Sequence, residues 1–301
     1  YYMQKIKIAA ADGYKLGAIY GRPVGESIGG IILSSATGIR KEFYISFAYY
    51  LIQNGYSVLL FDYRGIGESA PDDLKTSHSY MHEWGTLDMN AVLDYMVNEK
   101  ELTDIIWVGH SVGGQLIGFI SNHHHIRKVI AISAAFGYWK YLPSPVKWKI
   151  WSLWFFVGPL MVWAFGYGAM KKIGWGENLS RNMMKEWREW CLSKTYFSAM
   201  LQRELNMDKF YGFNVPIISV YMSDDYLAND KTAPLMLRFF PNTRTKLIKL
   251  DVEQYTAQKV GHVGIFRKKF MNSLWIKLIE IMEEEIPAAG TVKLVKEKSF
   301  C

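Results

Sequence analysis

The chain has 301 residues, half of them hydrophobic and 15% aromatic; this excludes a disordered protein and allows a sizeable core. Its 35 basic and 28 acidic residues leave a formal charge of +7, with no block of like charge and no basic–aromatic stripe of the kind that binds nucleic acid. Only Cys191 and Cys301 are present, and Tyr1-Tyr2-Met3-Gln4-Lys5 shows no charged segment leading into an apolar run, so a reducing, cytoplasmic setting without a disulfide framework is expected.

In chain order, residues 5–9 and 15–20 flank Asp12-Gly13 and predict a β-hairpin. Short Ile- and Val-rich runs follow at 31–34, 58–61, 105–108, 129–132, 217–221 and 246–250. Such runs suit strands buried on both faces of a parallel sheet. Stretches of helical length lie between them at 43–54 and 84–98, with shorter ones at 115–122 and 233–239. The alternation predicts an α/β fold: a mostly parallel twisted sheet preceded by an antiparallel hairpin. From 138 to 211 no strand is read, and Trp139, Trp148, Trp151, Trp154, Trp163, Trp175, Trp187 and Trp190 crowd together. The expected organisation is therefore a core (1–137), a helical Trp-rich insertion above the sheet (138–211), the rest of the core (212–287) and a tail (288–301). The tail reads as an extra strand, a tag remnant or a disordered end.

The sharpest motif is Gly109-His110-Ser111-Val112-Gly113-Gly114, set between the apolar run 105–108 and a helix candidate. In G-x-S-x-G the serine sits on a tight strand-to-helix turn that exposes its Oγ, and the glycines admit close backbone approach. The start of the following helix favours developing negative charge. A hydroxyl needs a base to take its proton, and the base needs an orienting carboxylate, here in the chain order Ser, acid, His. Downstream of Ser111 the histidines are His123, His124, His125 and His262; the first three follow too closely to return over the strand ends, which leaves His262 in Val260-Gly261-His262-Val263-Gly264. The run 217–221 ends near Ser223-Asp224-Asp225. Counting from the strand favours Asp225, with Asp224 as the register alternative and Asp230 more distant. An oxyanion hole needs two converging backbone donors. Val112 N–H, directly after the serine, is one candidate; Thr37 N–H, in the loop Ser35-Ala36-Thr37-Gly38, is the other, with a register one residue off as the alternative.

Together these residues resemble the α/β-hydrolase superfamily, in the branch of monoacylglycerol-lipase-like and serine-aminopeptidase-like enzymes. Asp62-Tyr63-Arg64-Gly65-Ile66-Gly67-Glu68-Ser69 is similar to that branch's D-x-R-G-x-G-x-S segment. Ala36-Thr37-Gly38, Asp224-Asp225, the segment from Gly261 to Arg267 and Trp187-Arg188-Glu189-Trp190-Cys191 resemble a group of bacterial predicted hydrolases within it. The resemblance runs from about residue 13 to about residue 275. It implies the α/β-hydrolase fold, a lid between the sixth and seventh strands, and Ser111, Asp225 and His262 as triad; it implies no particular substrate.

Residues 150–170 carry no charge over about the length of a bilayer span. One crossing would put Ser111 on one side and Asp225 and His262 on the other, so a working triad excludes it. Two readings remain: a lid roofing an apolar acyl pocket, which is favoured, and a lid that also touches a membrane surface, with Lys147, Lys149, Lys171 and Lys172 at its flanks. His123-His124-His125 reads as a surface loop and Cys191 as a buried apolar residue, and no cofactor or metal is called for. The leading function is hydrolysis of a small-molecule carboxylic ester with an apolar acyl group, through an acyl-enzyme. Acyl transfer, or cleavage of an amide or thioester, would use the same triad. A lipid- or partner-binding protein on a hydrolase fold is the non-enzymatic alternative.

Overall fold

The computed structural model describes residues 2–198, 208–286 and the backbone of 293–296. Cys301, residues 199–207 of the insertion and most of the tail lie outside the described residues. A nine-stranded sheet runs in the order β1-β2-β4-β3-β5-β6-β7-β8-β9. β1 (Tyr2–Ala9) and β2 (Lys15–Arg22) form the antiparallel hairpin, turned at Gly13 with φ 85°, and β2 pairs antiparallel with β4 (Ser57–Phe61). All other pairings, through β3 (Gly30–Ser34), β5 (Ile105–His110), β6 (Ile126–Ile132), β7 (Ile217–Met222) and β8 (Thr245–Leu250), are parallel. In the tail, β9 (Lys293–Lys296) adds an edge strand parallel to β8.

The Ile/Val runs are strands because both sheet faces are covered. Ile32, Leu59, Trp107, Val129 and Ile217 point into one core layer; Ile31, Val58, Ile106, Ile130 and Ile218 alternate into the other. Helix α1 (Ile45–Gln53) and the helix Leu274–Glu283 pack in the second layer through Phe47, Leu51, Leu274 and Leu278. The stretch 84–98 is helical throughout but irregular: α2 (Met89–Asp94) is flanked by π-turns at Trp84–Asp88 and Tyr95–Glu99.

The helix expected at 115–122 is different. Helix α3 covers only Val112–Gln115 and tightens into a 3-10 turn at Leu116–Phe119. Gly118 lies so close to the Phe210 ring that a Cβ there would come within 2.4 Å of it, and the chain turns out at Ile120.

Between β6 and β7 the chain leaves the sheet for α4 (Val146–Ser152), a π-turn at Leu153–Val157, α5 (Gly158–Phe165) and α6 (Arg181–Leu192). Ser180 caps α6 by accepting from Met183 N at 3.2 Å. Polar links fasten this insertion to the body, among them His82 Nδ1 to Glu186 Oε1 at 2.6 Å, Ser180 Oγ to Ser79 O at 2.7 Å and Glu177 N to Gly38 O at 2.7 Å. In the strand order, β3 has β4 on one side and β5 on the other, so the chain reverses its winding between β3 and β5. Crevices outside the carboxyl ends of strands open at such a reversal.

Candidate active site

Ser111 follows β5 at this reversal, with φ 53° and ψ −114°, a left-handed conformation unusual for a residue with a side chain. It is held there by its N–H, which donates to Ile132 O at 2.8 Å, and by its carbonyl, which accepts from Gly114 N at 2.9 Å. The glycines two residues to either side are required by space. A Cβ at Gly109 would lie 2.3 Å from Gly113 O, and one at Gly113 would lie 2.4 Å from Ser34 O. Because α3 is a single turn, its contribution to a developing anion is local N–H donation rather than a summed helix dipole.

Ser111 Oγ lies 3.1 Å from His262 Nε2, and His262 Nδ1 lies 2.9 Å and 3.1 Å from the two carboxylate oxygens of Asp225. The Asp225 side chain is fully buried. Burial works against its charge, but the adjacent His262 ring and N–H donation from Ala228 and Leu227 outweigh it and hold the carboxyl below its ordinary pKa of 3.8. The neighbouring Asp224 faces another way. Its two oxygens accept from Val260 N at 2.8 Å and Gly261 N at 2.9 Å, clamping the loop that carries His262. Asp230 is engaged elsewhere, by Tyr221 Oη at 2.7 Å and Lys249 Nζ at 2.8 Å. His123 sits in a 3-10 turn before β6, its ring bonded to Ile120 O at 2.9 Å.

Two residues that the sequence reading passed over tie these loops together. His110 and Tyr44 are both fully buried. His110 Nε2 lies 2.9 Å from His262 O, its Nδ1 lies 2.7 Å from Tyr44 Oη, and Ala36 N donates to that same hydroxyl at 3.0 Å. Donor roles follow from the chemistry. A carbonyl only accepts, so His110 Nε2 carries the proton and Nδ1 accepts the Tyr44 hydroxyl proton. Burial, helped by the nearby His262 ring, pushes His110 down to about 3, which keeps it neutral; burial raises the Tyr44 phenol, which keeps its proton. One directed chain thus runs from the backbone of the loop after β3 to the backbone of His262. His110 could have been suspected as the variable position of G-x-S-x-G, but Tyr44 has no sequence signal linking it to a residue 66 positions away.

The loop after β3 is anchored at its far end by the D-x-R-G-x-G-x-S segment. Asp62, fully buried, accepts from Lys41 N at 2.8 Å, Lys41 Nζ at 2.7 Å and Glu68 N at 3.0 Å. Arg64 is fixed in turn by Asp88, 2.8 Å from its Nε, and by Asp12, 2.8 Å from its Nη1. Between these anchors lie Ala36 and Thr37. Ala36 N–H is taken by Tyr44, whereas Thr37 and Ser111 line one cavity. Val112, 2% exposed, opens α3 immediately after the serine.

That cavity, of about 390 Å³, has Ser111 and His262 in its lining and Phe136, Leu142, Ile150, Trp154 and Trp187 as apolar walls. Gln115 lines it too, with both of its ends engaged: Nε2 donates to Ala135 O at 2.8 Å, and Oε1 accepts from Tyr196 Oη at 2.9 Å. Cys191 also lines it; burial raises the thiol pKa, so the group stays protonated and unreactive.

Residues 25–182 match the model of a family described as serine aminopeptidase, S33. No curated protein matches the chain. Among solved structures, an esterase from Exiguobacterium antarcticum is similar at 16% identity and a TM-score of 0.57, over 93% of this chain and 100% of that one. An esterase from Pyrococcus furiosus is similar at 15% identity and a TM-score of 0.60, over 94% of this chain and 90% of that one. A bromoperoxidase from Bacillus anthracis is similar at 17% identity and a TM-score of 0.54, over 93% of this chain and 100% of that one. Likeness at these identities concerns the fold.

Proposed function

The chain belongs to the serine aminopeptidase (S33) family of α/β-hydrolases, and from that membership we propose that it is a serine hydrolase cleaving a carboxylic ester with an apolar acyl group. The observation that carries this reading is the series Ser111 Oγ–His262–Asp225 on the wall of an apolar cavity. His262 Nε2 takes the Ser111 proton as Oγ bonds to the ester carbonyl carbon. Asp225 orients the ring and stabilises its charged form. Val112 and Thr37 N–H groups receive the oxyanion. As the tetrahedral centre collapses, the C–O bond to the alcohol breaks and the alcohol leaves with the proton held by His262. Water then adds to the acyl-enzyme, losing its proton to His262, and the Ser111–acyl bond breaks to release the acid as His262 returns that proton to Ser111 Oγ.

An ester is favoured over a peptide with a free amino terminus. An α-ammonium would need a carboxylate partner, and among the described residues lining the cavity there is no Asp or Glu. The helical insertion, which supplies Ile150, Trp154 and Trp187 to the cavity, acts as a lid that keeps water from the acyl chain.

The test is covalent labelling with a fluorophosphonate. Wild type should label, Ser111→Ala should not, and His262→Ala should label slower by about 10²-fold or more. Folded wild-type protein that resists labelling, or labelling that survives in Ser111→Ala, overturns the proposal.

A further inference from the structure

The segment Val146–Phe165 is helical, and long and apolar enough to cross a bilayer, yet most of it is not buried. Its inner side is accounted for: Ile150, Leu153, Trp154 and Met161 are buried, and Ile150 and Trp154 line the cavity of Ser111. Its outer side is equally apolar and lies open, with Trp163 82%, Leu160 61%, Phe156 59% and Trp148 55% exposed. A helix apolar all round belongs inside a protein or in lipid. Single exposed apolar residues are ordinary; a contiguous face of this kind is not.

Charge selects the occupant. From 138 to 176 the chain has five lysines and no Asp or Glu. The lysines sit among the aromatic side chains: Lys147 Nζ is 5.5 Å from the Trp148 ring centre and Lys172 Nζ is 5.1 Å from that of Phe165. Lys171 is paired with Glu177 at 2.7 Å. Beside Trp163 a cleft of about 480 Å³ opens between α5 and α6, apolar along Gly158, Pro159 and Val162 and rimmed by Arg181, Lys185 and Arg188. The acids of α6 lie apart in character: Glu186 is buried against His82, and Glu189 is exposed near its end. A second copy of this chain docked face to face would oppose lysine to lysine. A surface of acyl chains edged by phosphates satisfies both the aromatic residues and the cations.

We propose that the outer face of α4 and α5 docks on an anionic phospholipid bilayer. Trp148, Phe156, Leu160 and Trp163 enter the boundary between headgroups and acyl chains. Lys147, Lys149 and Lys172 meet lipid phosphates at its edge, and the α6 cleft takes a headgroup. The helix lies in the plane of the surface and does not cross, because Ser111 before it and His262 after it stand 3.1 Å apart. The docked helix also roofs the cavity, so bilayer and cavity are separated by one helix diameter, about 10 Å. Docking itself does not depend on the chemistry at Ser111.

The experiment is flotation of the full chain with two kinds of vesicle, phosphatidylcholine alone and phosphatidylcholine mixed with phosphatidylglycerol, in low and high salt. Wild type should float with the mixed vesicles, less with neutral ones, and less in high salt. Leu160→Glu/Trp163→Glu should lose about tenfold or more in partitioning, and Lys147→Gln/Lys149→Gln about tenfold on mixed vesicles alone. Fluorophosphonate labelling and circular dichroism report whether each variant is folded. Wild type that stays in solution with both vesicles overturns the inference. So does a stable dimer that Leu160→Glu/Trp163→Glu dissociates without altering flotation. Lost flotation with normal labelling removes membrane docking alone, whereas normal flotation without labelling removes the hydrolase reading alone.

Discussion

The loops at the strand ends and the insertion above them are held by different kinds of bonding. Around Ser111 the links are polar, buried and directional: two aspartates adjacent in sequence divide the work of orienting His262 and clamping its loop, and Tyr44 and His110 join that loop to the one after β3. In the insertion the contacts are mostly aromatic, such as Trp154 against Trp187 at 5.0 Å between ring centres, with a few polar fastenings to the body. Directional bonds hold one geometry and fail sharply when one partner is lost. Apolar contacts are non-directional and tolerate volume-conserving exchange. Substitutions in the first region should therefore damage rate or stability steeply, and those on the outer side of the second should change association and little else.

The sharpest way to break this comparison is at the paired aspartates. Asp225→Asn should lower kcat on the order of 10⁴-fold, as expected when the residue orienting a catalytic histidine is lost. Asp224→Asn keeps one acceptor oxygen for two N–H donors, so kcat should fall by no more than about 10²-fold through misplacement of the loop. Steady-state kinetics on a soluble ester would check both; equal losses would mean that the aspartates do not divide the work.

Next in size is the buried chain. Tyr44→Phe leaves Ala36 N–H and His110 Nδ1 unpaired and should cost about 1–3 kcal/mol in denaturant unfolding. Combined with His110→Phe, the loss should be less than additive, because both variants break the same chain. Additive losses would show the two residues acting separately.

The smallest effect per step is that of pH. His110 has a folded pKa of about 3 against an ordinary 6.5. Between those values the unfolded chain takes up a proton that the folded chain refuses, so stability falls as pH drops, by up to about 1.4 kcal/mol per pH unit. Asp225, also held low, adds in the same direction only below its ordinary value of 3.8. Between about pH 7 and about pH 4 the wild-type unfolding midpoint should fall relative to that of His110→Phe, in which no proton is refused; Asp88, pushed up to about 7 by burial, works in the opposite direction in both proteins and cancels from the comparison. A difference between the two proteins that does not change with pH would contradict a neutral buried His110.

Much of the fold could be read from the sequence because the parallel strands are buried on both faces, which makes 31–34, 58–61 and 105–108 continuous apolar runs. Ser111 carried a motif, His262 remained by elimination and Asp225 followed a strand end; all three are local signals. Counting from the strand favoured Asp225 and left Asp224 as the register alternative; the directions of the two side chains, which a register does not supply, put Asp225 against His262 and Asp224 against Val260 and Gly261. The chain through Tyr44 and His110 was invisible because it exists only after β3, β5 and the His262 loop converge. The short α3 was equally unreadable: residues 115–120 are helix-compatible, and the close approach of the Phe210 ring to Gly118 exists only in the fold.

The link from Ala36 through Tyr44 and His110 to His262 also defines what can be transplanted. A designer who grafts Gly109–Gly114 onto another strand moves Ser111 without its alignment. The portable unit is four contacts drawn from four separate stretches of chain. A library that randomises position 110 alone would sample mainly broken links, whereas one that varies positions 44 and 110 together can find replacement pairs that span the same gap.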